Sequence, residues 1–510
     1  MPERSQFRLL GERRFGPFFG VQFLGALNDN VFKQALVILL AYQTTSFTAW
    51  SSDVLQNVAQ ALFILPFLLF SATAGQLADK YEKRKLITVV VALELLIMLL
   101  GAAGLVLKDL TVLLVALFLG GAQSTFFGPV KYAYLPQHLR DTELVGGNGL
   151  VETGTSIAIL IGMMLGGWLV IHGDGGIWAV GVITCLISLA GIGLSRLVPR
   201  SPAPDPALRI DWNPVSATVQ NLRSASANRT VFLSILGASW FWFYGAMLVT
   251  QLPNLAKNVL GGSASLVTEL LIVFSLGIGA GSLLCERLSG HKVELGLVPF
   301  GSIGLTLFGV DLALALGAPQ SSWRVFADLF LIGVFGGFFI VPLYALIQSR
   351  SEPRLRSRII AANNILNAVF MVAAAAIAIG LFAAGLSIPQ LILVLALMNA
   401  AVALYIYRLV PEFLMRFMVW MLIHSVYRLK KLNLERIPDE GPAVLVCNHV
   451  SYVDALVISA ACRRPIRWVM DHRIFQVPVL SFFFRTARAV PIAPAREDPA
   501  VLDQAYQCIA

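Results

Sequence analysis

His449 and Asp454 are the residues whose types and spacing most directly suggest chemistry. They stand in the segment NHVSYVD, directly after the apolar run Ala443 to Cys447, which predicts a buried strand. A carboxylate at the start of a following helix can hydrogen-bond the imidazole and orient the ring. A histidine held in this way can take the proton of a hydroxyl group that attacks an acyl thioester. From these residues alone, the alternative is a surface histidine beside a capping aspartate.

A second set of candidates consists of polar side chains inside long apolar stretches, where an ionisable group is costly and is therefore a candidate for function. Asp29 and Lys33 lie one helical turn apart and are predicted to pair on one helix face. Lys131 and Glu152 occur in later stretches. Four asparagines share this setting, namely Asn148, Asn363, Asn364 and Asn367. We interpret all eight as candidates for the wall of a transport cavity.

Each of these candidates has a structural alternative. The Asp29–Lys33 pair could only stiffen helix packing, and Lys131 could extend its ammonium to the membrane interface. The asparagines could hydrogen-bond between helices. Four further carboxylates are expected near helix ends, where placement costs little, and are not candidates: Glu94, Glu269, Asp311 and Asp328.

The composition identifies a lipid bilayer as the solvent of this chain. Its 510 residues are 57% hydrophobic and only 13% charged, whereas a soluble domain has about 25% charged residues. This excludes a soluble enzyme or a nucleic-acid-binding domain as an interpretation of the whole chain. The five cysteines have no paired spacing, so neither a disulfide framework nor a metal site is predicted. No bound cofactor is expected.

Twelve apolar stretches are long enough to cross a hydrocarbon core, for which a helix needs about 20 residues. They divide six and six around a polar segment, which predicts six-helix halves over 1–197 and 230–410 with a linker at 198–229. Lysine and arginine concentrate in the even-numbered connections, so the positive-inside rule places these connections and both termini in the cytoplasm. The charged N-terminus shows no small-residue cleavage site, and we interpret it as a cytoplasmic tail and not as a signal peptide.

The two halves resemble each other in the segments GQLADKYEKRK and GSLLCERLSGHK, which follow the second and eighth stretches. Parallel six-helix halves are typical of major facilitator transporters. The first segment resembles the signature loop of that superfamily through Gly75, Asp79, Lys80, Arg84 and Lys85. The resemblance implies an all-α fold of twelve transmembrane helices in which Asp79 meets a neighbouring helix and the basic residues latch the cytoplasmic gate. Cys285 replaces the aspartate in the second copy, which puts a second latch in doubt.

Three further segments narrow the resemblance, namely FLGALNDN, GPVKY and LVGGNGLVE. Together they resemble the bacterial lysophospholipid transporter family. This implies a multi-pass protein of the bacterial inner membrane that moves lysophospholipid, notably lysophosphatidylethanolamine, toward the cytoplasm. A zwitterionic headgroup needs a cation and a carboxylate, which Asp29, Lys131 and Glu152 can supply. The same groups would also suit a sugar, a drug or a coupling proton.

After residue 410 the chain changes character. Residues 411–432 are apolar with interspersed basic residues, which predicts an interfacial helix that faces lipid headgroups and not a thirteenth span. Residues 433–510 resemble the glycerophospholipid acyltransferase family through an IP-x-x-GP turn followed by NHVSYVD. The resemblance implies that His449 is the general base and Asp454 its orienting partner, with Asn448 and Ser451 at accompanying positions. It also implies acyl-ACP or acyl-CoA as the acyl donor.

The Glu-Gly-Thr-Arg motif that binds the acceptor phosphate in the resembled family does not occur in this sequence. We therefore expect residues 433–510 to be a truncated part of an α/β acyltransferase domain, and the chain alone to be a poor acyltransferase.

Three hypotheses follow. In the preferred one, a lysophospholipid transporter supplies a fused domain that re-esterifies the lysolipid hydroxyl. In the second, the chain transports another small substrate or drug and its acyltransferase domain is vestigial or incomplete. In the third, the twelve spans only anchor an acyltransferase. The predicted partners are the lipid bilayer, the lysophospholipid and an acyl carrier protein or CoA thioester. No nucleic-acid partner is expected, because the net charge of +9 follows from sidedness and a basic C-terminal part.

Overall fold

The computed structural model describes residues 5–42, 52–170, 172–262, 264–289, 296–317, 322–409, 411–430, 432, 436–438, 441, 443–451, 453–462, 466–478, 480–493 and 498–509. Within these ranges, twelve helices are long and apolar enough to cross a membrane. The predicted polytopic all-α architecture is confirmed.

Each half contains six of these helices. The first half is built from α1 (Gly16–Tyr42), α2 (Ser52–Lys80), α3 (Lys83–Leu107), α4 (Leu110–His138), α5 (Leu144–Val170) and α6 (Gly173–Ser195). After α7 (Pro214–Ser226), the second half begins with α8 (Arg229–Val249), which a short α9 (Leu252–Asn254) and a π-helical turn (Leu255–Val259) continue. It ends with α10 (Ala264–Ser289), α11 (Leu297–Leu316), α12 (Ser322–Arg350), α13 (Arg356–Ala383) and α14 (Ile388–Leu409).

Short polar caps produce the sharp turns between spans. Asp109 Oδ1 accepts hydrogen bonds from the amides of Thr111 and Val112 and begins α4. Lys108, the residue before it, takes a left-handed conformation with φ of 52° that closes α3. Asn228 caps α8 through the amides of Thr230 and Val231. Each cap satisfies amide groups that the first helical turn leaves without partners.

The linker between the halves contains an ordered helix. Asn213 caps α7 and Pro214 occupies its first position, an arrangement that favours helix initiation. The helix buries Ala217, Asn221 and Ala225, and Asn221 Nδ2 donates to the carbonyl oxygen of Ala72 in α2 at 3.4 Å. The segment 198–229 thus packs against the spanning helices through one face.

Close helix contacts within each half depend on glycine. A Cβ atom on Gly166 of α5 would lie 2.4 Å from the carbonyl oxygen of Val31 in α1. In the second half, a Cβ on Gly281 of α10 would lie 2.1 Å from the carbonyl oxygen of Val334 in α12. Small residues at such positions allow backbones to approach closely in lipid, where dispersion forces drive helix association.

The chain divides into two compact units, Met1–Val293 with Gly304–Asn399 and Glu294–Ile303 with Ala400–Ala510. The second contains α15 (Pro411–Val426), α16 (Asp454–Ala461), β1 (Val469–Asp471), α17 (His472–Phe475), α18 (Leu480–Thr486), β2 (Val490–Ile492) and α19 (Pro499–Ile509). Strands β1 and β2 pair in parallel, with Val469 opposite Val490. Within this unit, the ring of Phe417 in α15 lies 5.4 Å from that of Phe300.

Two predictions for this unit differ from the structure. Ala443 to Cys447 form no strand, and Val444 and Val446 are 86% and 88% exposed. The physical reason is that a strand needs a hydrogen-bonded neighbour, and among the described residues only β1 and β2 pair. The predicted helix over 411–432 ends at Val426.

Candidate functional site

The carboxylate of Asp29 is hydrogen-bonded by a side chain of the neighbouring helix α4. Its Oδ2 accepts a hydrogen bond of 2.6 Å from Ser124 Oγ. Lys33 instead places its Nζ 4.9 Å from the ring centroid of Phe63 in α2, at a distance typical of a cation–π contact. Among the described residues the two groups form no direct ion pair, because each takes a contact on a neighbouring helix.

The predicted position of Glu94 near a helix end is wrong. It lies near the midpoint of the 25-residue helix α3 and is 3% exposed. Its Oε1 accepts a hydrogen bond of 2.6 Å from Asn28 Nδ2, and its Oε2 accepts one of 3.2 Å from Gln123 Nε2. Asn28 also donates to Ser188 Oγ at 2.9 Å. The expected interfacial carboxylate is therefore the centre of a buried polar cluster that joins α1, α3, α4 and α6.

The sequence contains a signal for this cluster. A glutamate in the run VVVALELLIMLL needs polar neighbours at the same depth, and the asparagine of NDN and glutamine of AQS supply them. Asp328 was likewise expected near an interface but is only 3% exposed. Asp311, by contrast, forms an ion pair with Arg324 close to the end of α11.

Lys131 and Glu152 both contact Tyr132. The carboxylate of Glu152 accepts a hydrogen bond of 2.7 Å from the hydroxyl of Tyr132. Lys131 Nζ donates to Thr155 Oγ1 at 3.3 Å and lies 5.0 Å from the ring centroid of Tyr132. The ammonium of Lys131 and the carboxylate of Glu152 are thus both directed into the helix bundle, and the partners of Lys131 lie in its interior.

Lys131 and Asp29 lie at different depths in the first half. Ser124, which binds Asp29, precedes Lys131 by seven residues of α4, and seven residues correspond to about 10 Å of helix rise. A carboxylate and an ammonium separated in this way can contact different groups of one elongated ligand.

Aromatic residues connect the two halves next to Glu152. The ring of Tyr132 stacks on that of Tyr344 in α12, with the centroids 4.7 Å apart. The hydroxyl of Tyr344 accepts a hydrogen bond of 2.9 Å from Trp242 Nε1 in α8. Tyr344 and Trp242 were not predicted, because in an apolar span an aromatic residue that connects the halves cannot be distinguished by pattern from one that only packs.

The predicted asparagines separate into three environments. Asn148 exchanges two hydrogen bonds with Gln348 of α12, at 2.8 and 2.9 Å, and joins the halves. Asn367 accepts a hydrogen bond of 2.9 Å from Ser239 Oγ within the second half. Asn363 is buried beside the hydroxyl of Tyr344, and Asn364 lies against Gly128. Asn363 and Asn364 therefore lie near the aromatic contact, whereas Asn148 forms a separate contact between the halves.

Asp79 makes the contact that the signature loop implies. Its completely buried carboxylate accepts hydrogen bonds from the amides of Ser357 and Arg358 at the start of α13, at 3.1 and 3.3 Å. It also forms an ion pair of 3.1 Å with Arg358 Nε. A carboxylate at a helix N-terminus is favoured by the amide groups and the helix dipole. Gly75, one turn earlier, lies close to the same turn of α13.

The basic residues of the loop take local partners. Arg84 Nη2 donates to the carbonyl oxygen of Arg196, Lys85 pairs with Glu82 at 3.9 Å, and Lys80 lies over the ring of Tyr81. All of these contacts remain within the first half. In the part of the chain that the structure describes, the link from this loop to the second half is made by Asp79 and Gly75.

His449 and Asp454 meet as the motif predicts. His449 Nδ1 lies 3.2 Å from Asp454 Oδ2, which also accepts hydrogen bonds from the amides of Val450 and Ser451, at 2.6 and 2.7 Å. These amides and the imidazole hold the pKa of Asp454 below its usual range. An ionised Asp454 favours the tautomer with the proton on Nδ1, which leaves Nε2 as a base. Ser451 Oγ accepts from the amide of Val453, and Asn448 is exposed.

Replacing Asp454 by alanine is expected to loosen this turn. Two amides lose their acceptor, so hydrogen exchange over residues 448–454 should increase several-fold in mass-spectrometric measurements. Because the pKa of folded Asp454 lies below its unfolded value of about 3.9, its contribution is present above that value and is lost as pH falls through the folded pKa. Protection in the wild type should therefore not change between neutral and mildly acidic pH.

The matched control is Asp498→Ala, which removes the cap of α19 formed with the amides of Ala500 and Val501. Exchange should then increase around residue 500 and not in the turn at 448–454. Unchanged exchange of the turn in Asp454→Ala would contradict the role given to this carboxylate.

Comparison with known proteins agrees with this geometry. Residues 18–376 match the Major Facilitator Superfamily, and residues 428–510 match the Acyltransferase family. The lysophospholipid transporter LplT of Klebsiella pneumoniae is 31% identical over 333 residues, which cover 65% of this chain and 79% of that protein. LplT of Cronobacter sakazakii is 32% identical over 337 residues, with the same coverage. The chain belongs to the Major Facilitator Superfamily, in the LplT family.

Solved structures show the same fold for this LplT-family chain. The transporter FucP in its outward conformation gives a TM-score of 0.60 at 15% identity, over 77% of this chain and 97% of FucP. The human organic anion transporter MFSD10 gives 0.61 at 14% identity, over 79% of this chain and all of MFSD10. The chain is thus a multi-pass membrane protein with a major facilitator fold and an acyltransferase segment.

Proposed function

We propose that this protein moves lysophospholipid across the bacterial inner membrane toward the cytoplasmic side, where its acyltransferase domain re-esterifies the lysolipid. The observation that carries the proposal is the presence, on one chain, of an LplT-family transporter and an acyltransferase segment with its His–Asp motif. Both termini are proposed to be cytoplasmic, which places His449 in the compartment that contains acyl thioesters.

The polar groups of the first half support a zwitterionic substrate. Lys131 supplies an ammonium for a phosphate. Asp29 supplies a carboxylate for an amine, and its partner Ser124 precedes Lys131 by about 10 Å of helix rise along α4. The contacts between the halves through Asp79 and Asn148 lie at the end of the bundle that carries the 80–83 loop. We infer that this end is the cytoplasmic gate and that it is closed, so that lysolipid enters from the opposite side.

The proposed enzymatic step is a direct acyl transfer. His449 Nε2 takes the proton of the lysolipid hydroxyl as its oxygen attacks the thioester carbonyl of acyl-ACP or acyl-CoA. The C–S bond then breaks, and the proton passes to the departing thiolate. Asp454, fixed by two amides, stabilises the imidazolium that forms between these events. In a longer form of the protein that also carries the acceptor-binding motif, replacing His449 by alanine should abolish acyl transfer and leave lysolipid uptake unchanged.

Uptake of radiolabelled lysophosphatidylethanolamine into proteoliposomes tests the transport function. Unlabelled lysophospholipid should compete, whereas glycerophosphoethanolamine, which lacks an acyl chain, and sugars should not. Competition by a sugar or a drug alone would support a transporter of another substrate. Uptake that occurs only when an acyl donor is present would contradict lysolipid transport that is independent of acyl transfer.

Replacing Asp29 by asparagine is expected to reduce the initial rate of this uptake. A hydrogen bond to a charged group contributes about 1.5–3 kcal/mol, which corresponds to roughly ten-fold or more in binding. Asp174→Asn is the matched control, because Asp174 has a 79% exposed side chain that pairs with Lys108 at the surface. Equal rates for wild type and Asp29→Asn would remove Asp29 from the substrate site.

A further inference from the structure

The linker segment runs along helix α2 into the bundle, from the end that carries the 80–83 loop. Four of its residues form hydrogen bonds with successively earlier positions of the first half: Ser201 with Lys83, Asp205 with Asp79, Asp211 with Gln76 and Asn221 with Ala72. The seven residues from Ala72 to Asp79 correspond to about 10 Å of helix rise. The middle of α7 therefore lies about 10 Å deeper along the bundle than the contact of Asp79.

This depth corresponds to the border between lipid headgroups and hydrocarbon. Helices α2 and α3 are joined by only two residues, Tyr81 and Glu82, so both spans end at the same membrane surface. A bilayer has a hydrocarbon core of about 30 Å and a polar layer of about 5–8 Å on each side. A helix about 10 Å inward from such a surface lies at the outer edge of the hydrocarbon core. Helix α7 is thus at the level of lipid.

The buried face of α7 lies across the seam between the two halves. Ala217 packs with Ala72 of α2 and Ile365 of α13 in one apolar cluster, and α2 and α13 belong to different halves. The small side chains of this face, which also include Ala225, allow the helix to approach the spans closely. The opposite surface of α7 is consequently directed away from the bundle.

The outward surface of α7 has an apolar edge and a polar edge. Successive residues of a helix are about 100° apart around its axis. Val215 and Val219 therefore lie on one side of the buried face, and Gln220 and Arg223 lie on the other. All four are exposed, Val215 at 70% and Val219 at 49%. An apolar edge beside a polar edge is typical of a helix that lies in the plane of a membrane interface.

The residues around this surface match the chemistry of phospholipid headgroups. Trp212, just before the helix, is 69% exposed, and tryptophan is enriched at the membrane–water interface. Arg209, Arg223 and Arg229 are also exposed, and among the described residues none of their guanidinium groups forms an ion pair. Guanidinium groups bind phosphate through two parallel hydrogen bonds. An exposed apolar patch with a polar rim marks an interaction site, and here its depth and charge favour lipid.

We propose that α7 is a membrane-docking helix, which inserts Trp212, Val215 and Val219 into the leaflet on its side of the bundle. Arg209 and Arg223 bind phosphates of that leaflet, preferentially those of anionic phospholipids. Since the buried face of α7 crosses the seam between α2 and α13, docking also keeps this seam covered. The inference concerns the linker and does not need a transported substrate, so it is independent of the proposed function.

Spin labels on the two edges of α7 test the proposal in the full chain, reconstituted in nanodiscs of phosphatidylethanolamine and phosphatidylglycerol. The labels are attached to Val215→Cys, Val219→Cys and, as the matched control, Gln220→Cys, after the five native cysteines are replaced by serine. The labels at 215 and 219 should collide with oxygen several-fold more often than with a water-soluble nickel chelate. The label at 220 should show the opposite preference.

Equal exposure of all three labels to the nickel chelate would overturn the proposal, because it would place α7 in water. Labels at 215 and 219 that are shielded from both oxygen and nickel would also overturn it, because they would indicate a protein partner such as the acyltransferase domain.

The role of the arginines is tested with the same labels. Removing phosphatidylglycerol, or combining Arg209→Gln with Arg223→Gln, should make the labels at 215 and 219 several-fold more accessible to nickel. Unchanged accessibility in both experiments would overturn the binding of anionic phospholipid by these arginines.

A second measurement uses the chain with its native cysteines. Lipids brominated on their acyl chains quench a tryptophan that lies in the hydrocarbon region. The fluorescence of Trp212, taken as the difference between the wild type and Trp212→Phe, should be quenched most by lipids that carry bromine close to the headgroup. Absence of quenching would overturn the proposal even if the cysteine-free variants do not fold.

Discussion

Replacing Arg358 by alanine is expected to destabilise strongly the contact between the halves that we propose as the closed gate. Asp79 is completely buried and Arg358 is 16% exposed, so the substitution removes the guanidinium that forms an ion pair with a buried carboxylate. Breaking one partner of a buried ion pair typically costs about 3–5 kcal/mol. The expected result is a lower thermal midpoint in detergent and a large loss of lysolipid uptake. Thermal unfolding and proteoliposome uptake measure the two effects.

The double variant Asp79→Asn/Arg358→Ala separates the ion pair from packing. Removing both charges should restore part of the stability that Arg358→Ala loses, because the carboxylate of Asp79 is no longer buried without Arg358. Arg84→Ala is the control for a basic residue of the same loop that contacts only the first half. Equal losses in Arg84→Ala and Arg358→Ala would contradict the assignment of Asp79 and Arg358 as the latch.

Replacing Gly149 by alanine is expected to prevent full closure of the same gate. A Cβ on Gly149 of α5 would lie 2.4 Å from the carbonyl oxygen of Ser282 in α10, and a backbone atom cannot move aside alone. Overpacking typically costs about 1–3 kcal/mol, and each 1.4 kcal/mol shifts a two-state equilibrium about ten-fold. The open form of this end should therefore become populated, and net transport should fall.

Spin labels at Tyr81 and Arg354, one exposed position on each half, report this opening as a longer distance. Gly120→Ala provides the control, because a Cβ on Gly120 of α4 meets no atom within 4 Å. An unchanged distance distribution in Gly149→Ala would mean that α5 and α10 do not form the closing surface.

The helical frame could be predicted because it depends on composition alone. Stretches of about 20 apolar residues can satisfy their backbone in lipid only as helices, and the twelve predicted ones are present. The contact of Asp79 with a neighbouring helix could also be predicted, because its spacing from Gly75 is part of a motif with a known position after the second helix. The contacts of Arg358 with Asp79 could not be predicted, because Arg358 is far away in sequence and basic residues are common in such loops.

The interior of the site was harder to predict than the frame. Glu94 was assigned to a helix end, although its real depth becomes evident only when Asn28 and Gln123 are found beside it. Tyr344 and Trp242 looked like ordinary apolar residues of a span. In both cases the environment of the residue depends on which helix faces are in contact, and the hydropathy of the sequence does not show this.

In the C-terminal segment, by contrast, the site was easier to predict than the fold around it. Its motif correctly brought His449 and Asp454 together, because the contact is local and two nearby amides fix it. The strand predicted just before it depends on a distant pairing partner, and Ala443 to Cys447 form no strand. Local chemistry was therefore predictable where long-range pairing was not.

The transfer of a lysolipid between leaflets tests the central claim most directly. Fluorescent lysophosphatidylethanolamine is added to the outside of proteoliposomes, and albumin then extracts what remains in the outer leaflet. We predict that vesicles with the wild-type protein protect a growing fraction of the lipid, and that Asp29→Asn and Arg358→Ala protect much less. Protection equal to that of protein-free vesicles would contradict lysophospholipid transport by this protein.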